Sequence, residues 1–218
     1  MKLVVFGLSV SSSWGNGHAT LWRGLVQALA SLGHRVVFYE RDVPYYADHR
    51  DLLCWTDGEL KLYRSWGEIL PSARADVLDA DVAMVTSYCP DGAGAAELVL
   101  QEAPGLRVYY DLDTPVTLER LSRGESVFYL PADGLSGFDL VLSYTGGAAL
   151  TGLSERLGAR RVVPLYGSVD PRIHYPVAPV DHYRADLSYL GTYADDRQDA
   201  LVRLLVEPAR RRPRHRFL

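Results

Sequence analysis

The chain has 218 residues, 48% of them apolar and 23% charged, with a net charge of −4 at neutral pH. That balance excludes a long disordered polypeptide, and the slight acidity leaves no general nucleic-acid footprint. The length provides for one complete core of about 150–180 residues plus a remnant.

The opening MKLVVFGLSV is a short apolar run without a small-residue cleavage site, and the polar SSSWGNGH follows it, so it reads as a buried strand rather than a signal. No run approaches the 18 apolar residues of a membrane span. Similar β-branched or aromatic runs recur at residues 2–7, 35–40, 81–87, 106–111, 139–144 and 161–166. Their near-continuous apolarity predicts strands buried on both faces, hence an α/β fold with a parallel sheet between layers of helices.

The clearest helix is expected at 16–32, where Leu21, Trp22, Leu25, Val26, Leu29 and Leu32 share a stripe and Gly33 supplies the stop. Others are expected at 92–102, 115–123 and 147–157, with Thr114 placed to cap the second and Pro115 at its first position. The stretch 46–75 is less readable, with strand candidates near 52–55 and 60–63. Past Asp170 the prolines 171, 176 and 179 break all periodicity, so 171–185 reads as a connector. A new alternation follows: a strand at 187–192, a helix at 195–206 and a further strand starting at 216.

This divides the chain into a first domain at 1–170, the connector, and the start of a second α/β domain at 186–218, whose remainder is expected beyond Leu218. Leu187, Tyr189, Leu190, Leu201, Leu204, Leu205 and Phe217 are then expected to expose an apolar patch that favours self-association. Cys54 and Cys89 lack CxxC or metal spacing and suit plain thiols in a reducing cytoplasm. Lys2 and Lys61 are the only lysines, which reads as genome composition.

Open α/β sheets bind ligands beyond the carboxyl ends of their strands. The segments there are SVSSSWGNGH (9–18), ERDVPYY (40–46), SYCPDG (87–92), DLDTP (111–115), SYTGG (143–147) and YGSVD (166–170). Their repeated hydroxyl, amide, carboxylate and glycine groups predict a cleft. Ser13, Trp14, Gly15, Asn16, Gly17, Arg41, Asp42, Tyr88, Asp111, Thr114, Tyr144, Thr145, Gly146, Tyr166, Gly167 and Ser168 are its candidate substrate-binding residues.

His18 is the only histidine of this edge set, and a near-neutral imidazole is suited to take a proton from an attacking hydroxyl. Asp113 is the second catalytic candidate, with Asp42 and Asp111 as alternative bases. Asp111-Leu112-Asp113 resembles a metal-binding DxD, but its place between a strand and a capped helix favours capping and hydroxyl contacts, and no metal is assigned. Gly15-x-Gly17 followed by Glu40 resembles a dinucleotide fingerprint. Thr20 at the third glycine position and the long loop from Gly7 to Gly15 weaken it. The basic ARRRPRHR (209–216) reads as a solvated helix end rather than a nucleic-acid tail.

Taken together, FGLSVSSSWGNGHATLWRGLVQALASLGHRVVFYERDVPYYADHRDL, TSYCPDG, YYDLDTPVTLERL, FDLVLSYTGG, PLYGSVDP and DLSYLGTYADDRQ closely resemble the CgeB-like, spore-maturation type glycosyltransferases of the GT-B superfamily. The resemblance implies two facing Rossmann-like domains, an acceptor bound by the first and a nucleotide-sugar donor by the second, with no required metal and no cofactor beyond that co-substrate. It places WGNGH at the cleft floor and leads GSVDP into the connector. The acceptor class stays open among small molecules, saccharides and proteins. The donor-gripping segment is expected after Leu218, so the 218-residue chain is expected to be inactive or to bind acceptor only. The rival readings are an NAD(P)-dependent oxidoreductase and a non-catalytic saccharide-binding module.

Overall fold

The computed structural model describes residues 1–191, 193 and 195–218. Seven strands, β1 (Lys2–Gly7), β2 (Arg35–Arg41), β3 (Glu59–Tyr63), β4 (Val82–Thr86), β5 (Leu106–Asp111), β6 (Leu140–Ser143) and β7 (Val162–Pro164), form one sheet. Its order is β3-β2-β1-β4-β5-β6-β7, and every neighbouring pair is parallel. This is a Rossmann-like doubly wound arrangement, and the order reverses between β1 and β4, the place where such sheets leave a crevice.

Because successive strand side chains point to opposite faces, each apolar run feeds two cores at once. Val4 and Phe6 of β1, Val37 and Tyr39 of β2, and Ala83 and Val85 of β4 pack with Ala73, Val77, Ala95, Val99 and Leu153. These helical residues come from α3 (Trp66–Leu78), α4 (Gly92–Glu102) and α6 (Ala148–Leu157). The intervening Val5, Val36, Phe38 and Met84 pack on the other face against Trp22 and Val26 of α1 (Gly17–Ser31). Two further helices, α2 (Pro44–Ala47) and α5 (Thr114–Ser122), follow β2 and β5.

Two expectations are corrected, and one unread stretch is resolved. No strand forms at 52–55; Leu52 and Trp55 instead plug the second core beside α1, with the Trp55 ring 6.3 Å from Phe38. Apolar side chains covering a sheet face from an irregular segment carry the same composition as a strand. The stretch 66–78 is a helix, capped by Ser65, whose side chain accepts from the Glu68 amide. Pro71 inside it disguises the helical pattern. Finally, Thr114 does not cap α5: the N-cap residue is Asp113, without a side-chain capping bond, and the Thr114 hydroxyl pairs with Ser143 Oγ at 2.7 Å.

The two lysines meet at one carboxylate. Asp76 of α3 takes Lys2 Nζ on Oδ1 at 2.8 Å and Lys61 Nζ on Oδ2 at 2.6 Å, with the Tyr39 hydroxyl also at 2.6 Å. Burial acts to raise the Asp76 pKa, but these bonds overcome it and hold it at about 2. One acid thus ties α3 to β1, β2 and β3.

The chain divides into two compact units, Met1–His174 and Tyr175–Leu218. In the second, the expected strands at 187–192 and 216–218 reduce to one parallel bridge between Leu187 and Phe217; Thr192 lies outside the described residues. A lone pairing without a third strand is marginal. The helix runs past the expected Val206 as Asp195–Arg197 (3-10), Gln198–Leu201 (α), Val202–Val206 (π) and Glu207–Arg211 (α). Its π segment comes just before Pro208, which has no N–H for a regular helical bond. Leu187, Tyr189, Leu201, Leu204 and Leu205 line an apolar groove of about 270 Å³ within this unit.

Candidate functional site

The long loop after β1 owes its shape to Glu40 at the end of β2. This side chain is fully buried. Its Oε1 accepts from the hydroxyls of Ser9 (3.0 Å) and Ser11 (2.6 Å), and its Oε2 from the amides of Val10 (2.7 Å) and Ser11 (2.9 Å). A carboxylate out of water requires such complete pairing. Asn16 is also buried: its Nδ2 donates to the carbonyls of Ser9 and Ser12, and its Oδ1 caps α1 through the His18 amide at 3.1 Å. Ser13 gives both its amide and its hydroxyl to Asp51, which also pairs with Arg23. The Arg23 guanidinium, reinforced by Ser13 against the opposing effect of burial, holds the Asp51 carboxyl well below the usual range. Ser13 and Asn16, expected as substrate contacts, spend their polar atoms on the loop itself.

What the loop presents outward is Trp14, Gly15 and Gly17. Gly15 has φ of +58°, and a Cβ there would meet the Tyr45 hydroxyl at 2.7 Å. The Trp14 ring lies parallel to His49, with centroids 4.5 Å apart and 9° between planes. Arg41 and Asp42, the next two residues of the edge set, are both in ion pairs, Arg41 with Asp91 at 3.1 Å and Asp42 with Arg50 at 2.7 Å.

The switch point gathers the chemically distinctive groups. His18 stands in the first turn of α1, its ring centroid 6.1 Å from that of Tyr88, which follows β4. Tyr88 is the one non-glycine residue in the left-handed region among the described residues, at φ 64°, and its hydroxyl donates to Asp113 Oδ2 at 3.0 Å. Strain of this kind persists only where surrounding contacts enforce it. His18 Nδ1 is buried and has no hydrogen-bond partner among the described residues. Burial pushes the His18 pKa down, with the Asp113 charge opposing, so the ring is neutral at pH 7.

Asp111 sits just beneath, fully buried. Its Oδ1 accepts from the Asp113 amide (3.0 Å) and the Thr117 hydroxyl (3.2 Å), while its Oδ2 has no partner among the described residues. Burial raises its pKa, and the Asp113 amide, Thr117 and Ser87 only partly offset that. Thr117 in turn pairs with the Tyr129 hydroxyl at 2.9 Å, an arrangement the sequence did not signal. Asp111 is therefore a support that sets the turn carrying Asp113, while Asp113 itself faces Tyr88.

At the far end, Ser143 Oγ accepts from the Thr145 amide at 3.1 Å. Tyr144 and Tyr166 are exposed and form a reciprocal clasp: a Cβ on Gly167 would strike the Tyr144 hydroxyl, and one on Gly146 the Tyr166 hydroxyl. Each ring lies over the other loop's glycine, which explains both glycines. Ser168 is exposed beside them. The predicted residues thus fall into three groups along one edge: Trp14 and Gly15 over β1 and β2, His18, Tyr88 and Asp113 at the switch point, and Tyr144 with Tyr166 beyond β6 and β7. Tyr45 and His49 join the first group without having been singled out in the sequence. Cys89 is buried, which pushes its thiol up to about 12, an inert thiol.

Fold and edge together define a parallel Rossmann-like α/β protein with polar groups gathered at the topological switch point. No protein-family model matches the chain, and no curated protein matches it. No described helix is long and apolar enough to cross a membrane.

Proposed function

We propose that the carboxyl edge of this sheet is the acceptor side of a glycosyl-transfer site, with His18 as general base. The observation that carries the reading is the meeting, at the switch point, of the His18 imidazole, whose Nδ1 has no hydrogen-bond partner among the described residues, with the Tyr88–Asp113 pair. In the reaction, an acceptor hydroxyl gives its proton to His18 as its oxygen bonds to the anomeric carbon of a nucleotide-sugar. The bond from that carbon to the diphosphate breaks, and the leaving nucleotide takes the electron pair. Asp113, held by Tyr88, is placed to orient the acceptor or to stabilise the imidazolium that forms. The donor diphosphate is assigned to no residue here. The resemblance of the edge motifs to CgeB-like glycosyltransferases supports the same class.

The rival dinucleotide reading needs Glu40 to hold a ribose, and both Glu40 oxygens are already taken by the loop after β1. A titration followed by NMR tests the choice. Neutral saccharides should shift the His18 ring and the amides of residues 88 and 113, and NAD(P) should leave the loop at 9–18 unmoved. Saturable NAD(P) shifts in that loop, with none from any saccharide, would overturn the proposal.

A further inference from the structure

Trp14, Tyr45 and His49 make an exposed aromatic surface that the chemistry at the switch point does not use. Trp14 and Tyr45 are each 56% exposed, although both are large rings that a fold ordinarily covers. Trp14 stacks flat on His49, the Tyr45 ring lies 6.3 Å from His49 at 45°, and Tyr46 meets Tyr45 edge-on at 82°. The rings come from the loop after β1 and from the segment around α2 after β2, so they share the carboxyl edge with His18.

The surface is preorganised. Ser12 Oγ accepts from the Trp14 amide at 3.3 Å and donates to the His49 carbonyl at 2.7 Å, clamping both halves of the stack. His49 Nδ1 donates to the Tyr45 carbonyl at 3.1 Å, which orients the imidazole. Beneath them Glu40 pins the loop. Rigid aromatic rings held this way bind with little loss of conformational freedom.

The electrostatics select the ligand. The nearby cations are neutralised within the protein, Arg23 by Asp51 and Arg50 by Asp42. A phosphate would find no uncommitted guanidinium in this ring of residues, whereas a neutral ligand with one apolar face and a hydroxylated rim meets both the rings and the paired polar groups around them.

We infer that Trp14, Tyr45 and His49 are a stacking platform for the ring face of a neutral saccharide unit. The inference deepens the acceptor-side reading and rests on it for the ligand class. It makes the acceptor a saccharide, or a molecule carrying one, bound with one sugar on the platform.

The test uses the whole chain and a panel of methyl glycosides and β-linked disaccharides, read by saturation-transfer NMR and by the Trp14 indole N–H. The panel should shift Trp14, Trp14→Ala should weaken binding about tenfold or more, and Trp14→Phe should restore most of it. Tyr45→Ala should weaken it less. If saccharides shift His18 equally in wild type and Trp14→Ala while Trp14 stays silent, the platform is overturned and the acceptor-side reading stands. If Trp14 responds and His18 does not, the platform stands and the base assignment fails. Response of Trp14 to free nucleotides but to no saccharide overturns the platform, and binding of no panel member overturns both.

Discussion

The two compact units carry similar apolar patterns but differ in what those patterns achieve. In Met1–His174 the strands feed two clusters with many fully buried side chains, Phe6, Phe38, Tyr109 and Leu153 among them. In Tyr175–Leu218 no described residue is buried, and Leu190, Leu204 and Tyr189 stand open beside a helix and a single bridge. A helix satisfies its backbone hydrogen bonds within its own segment, whereas a core needs a second layer to close over it.

The contrast can be broken by substitution. Phe138→Ala, in the first core against Tyr109, should cost about 3–5 kcal/mol in denaturant unfolding followed by far-UV dichroism. A loss below about 1 kcal/mol would mean that the sheet is not packed as described. Glu40→Ala strips the partner from four donors and should cost about 2–4 kcal/mol, with hydrogen exchange rising selectively at residues 9–16.

Asp111→Asn sharpens the comparison through pH. Because burial raises the Asp111 pKa, the native state keeps a proton that the unfolded chain has released above the ordinary carboxylate value. Stability therefore falls as pH climbs through that window. Asparagine keeps the acceptor for the Asp113 amide and Thr117, so the variant should stay within about 1 kcal/mol of wild type near the ordinary carboxylate pKa and lose this slope. An unchanged pH profile would show that folding leaves the Asp111 pKa unshifted. The smallest effect belongs to the second unit: Leu190→Asp should change stability by less than about 0.5 kcal/mol. A larger loss there would mean that Leu190 is covered in solution.

Most of the sheet was legible because a buried parallel strand is apolar on both faces. The expected runs at 2–7 and 106–111 coincide with β1 and β5. The helix α3 was hidden by Pro71, although Ser65-x-x-Glu68 carried the start signal of a capping box. Trp55 misled because a plug and a strand use the same residue types. At the edge, the strand-end rule singled out His18, Tyr88 and Asp113, which the structure brings near one another. It could not find the Trp14–His49 stack, which forms where Glu40 pins the loop after β1 and Ser12 ties that loop to the His49 carbonyl, pairings across 30 or so residues that no local pattern encodes.

The paired lysines have a consequence for how substitutions here will read. In a chain whose cationic side chains are otherwise all arginine, exchanging one basic residue for the other is ordinarily silent on a surface. Lys2 and Lys61 each place a compact ammonium on a different oxygen of Asp76, and a flat guanidinium on a shorter stem presents its donors as a fork rather than as a point. Lys→Arg at either position should therefore behave as a core defect rather than a neutral drift, and the double exchange should cost less than the two single ones added together, since both break the same knot.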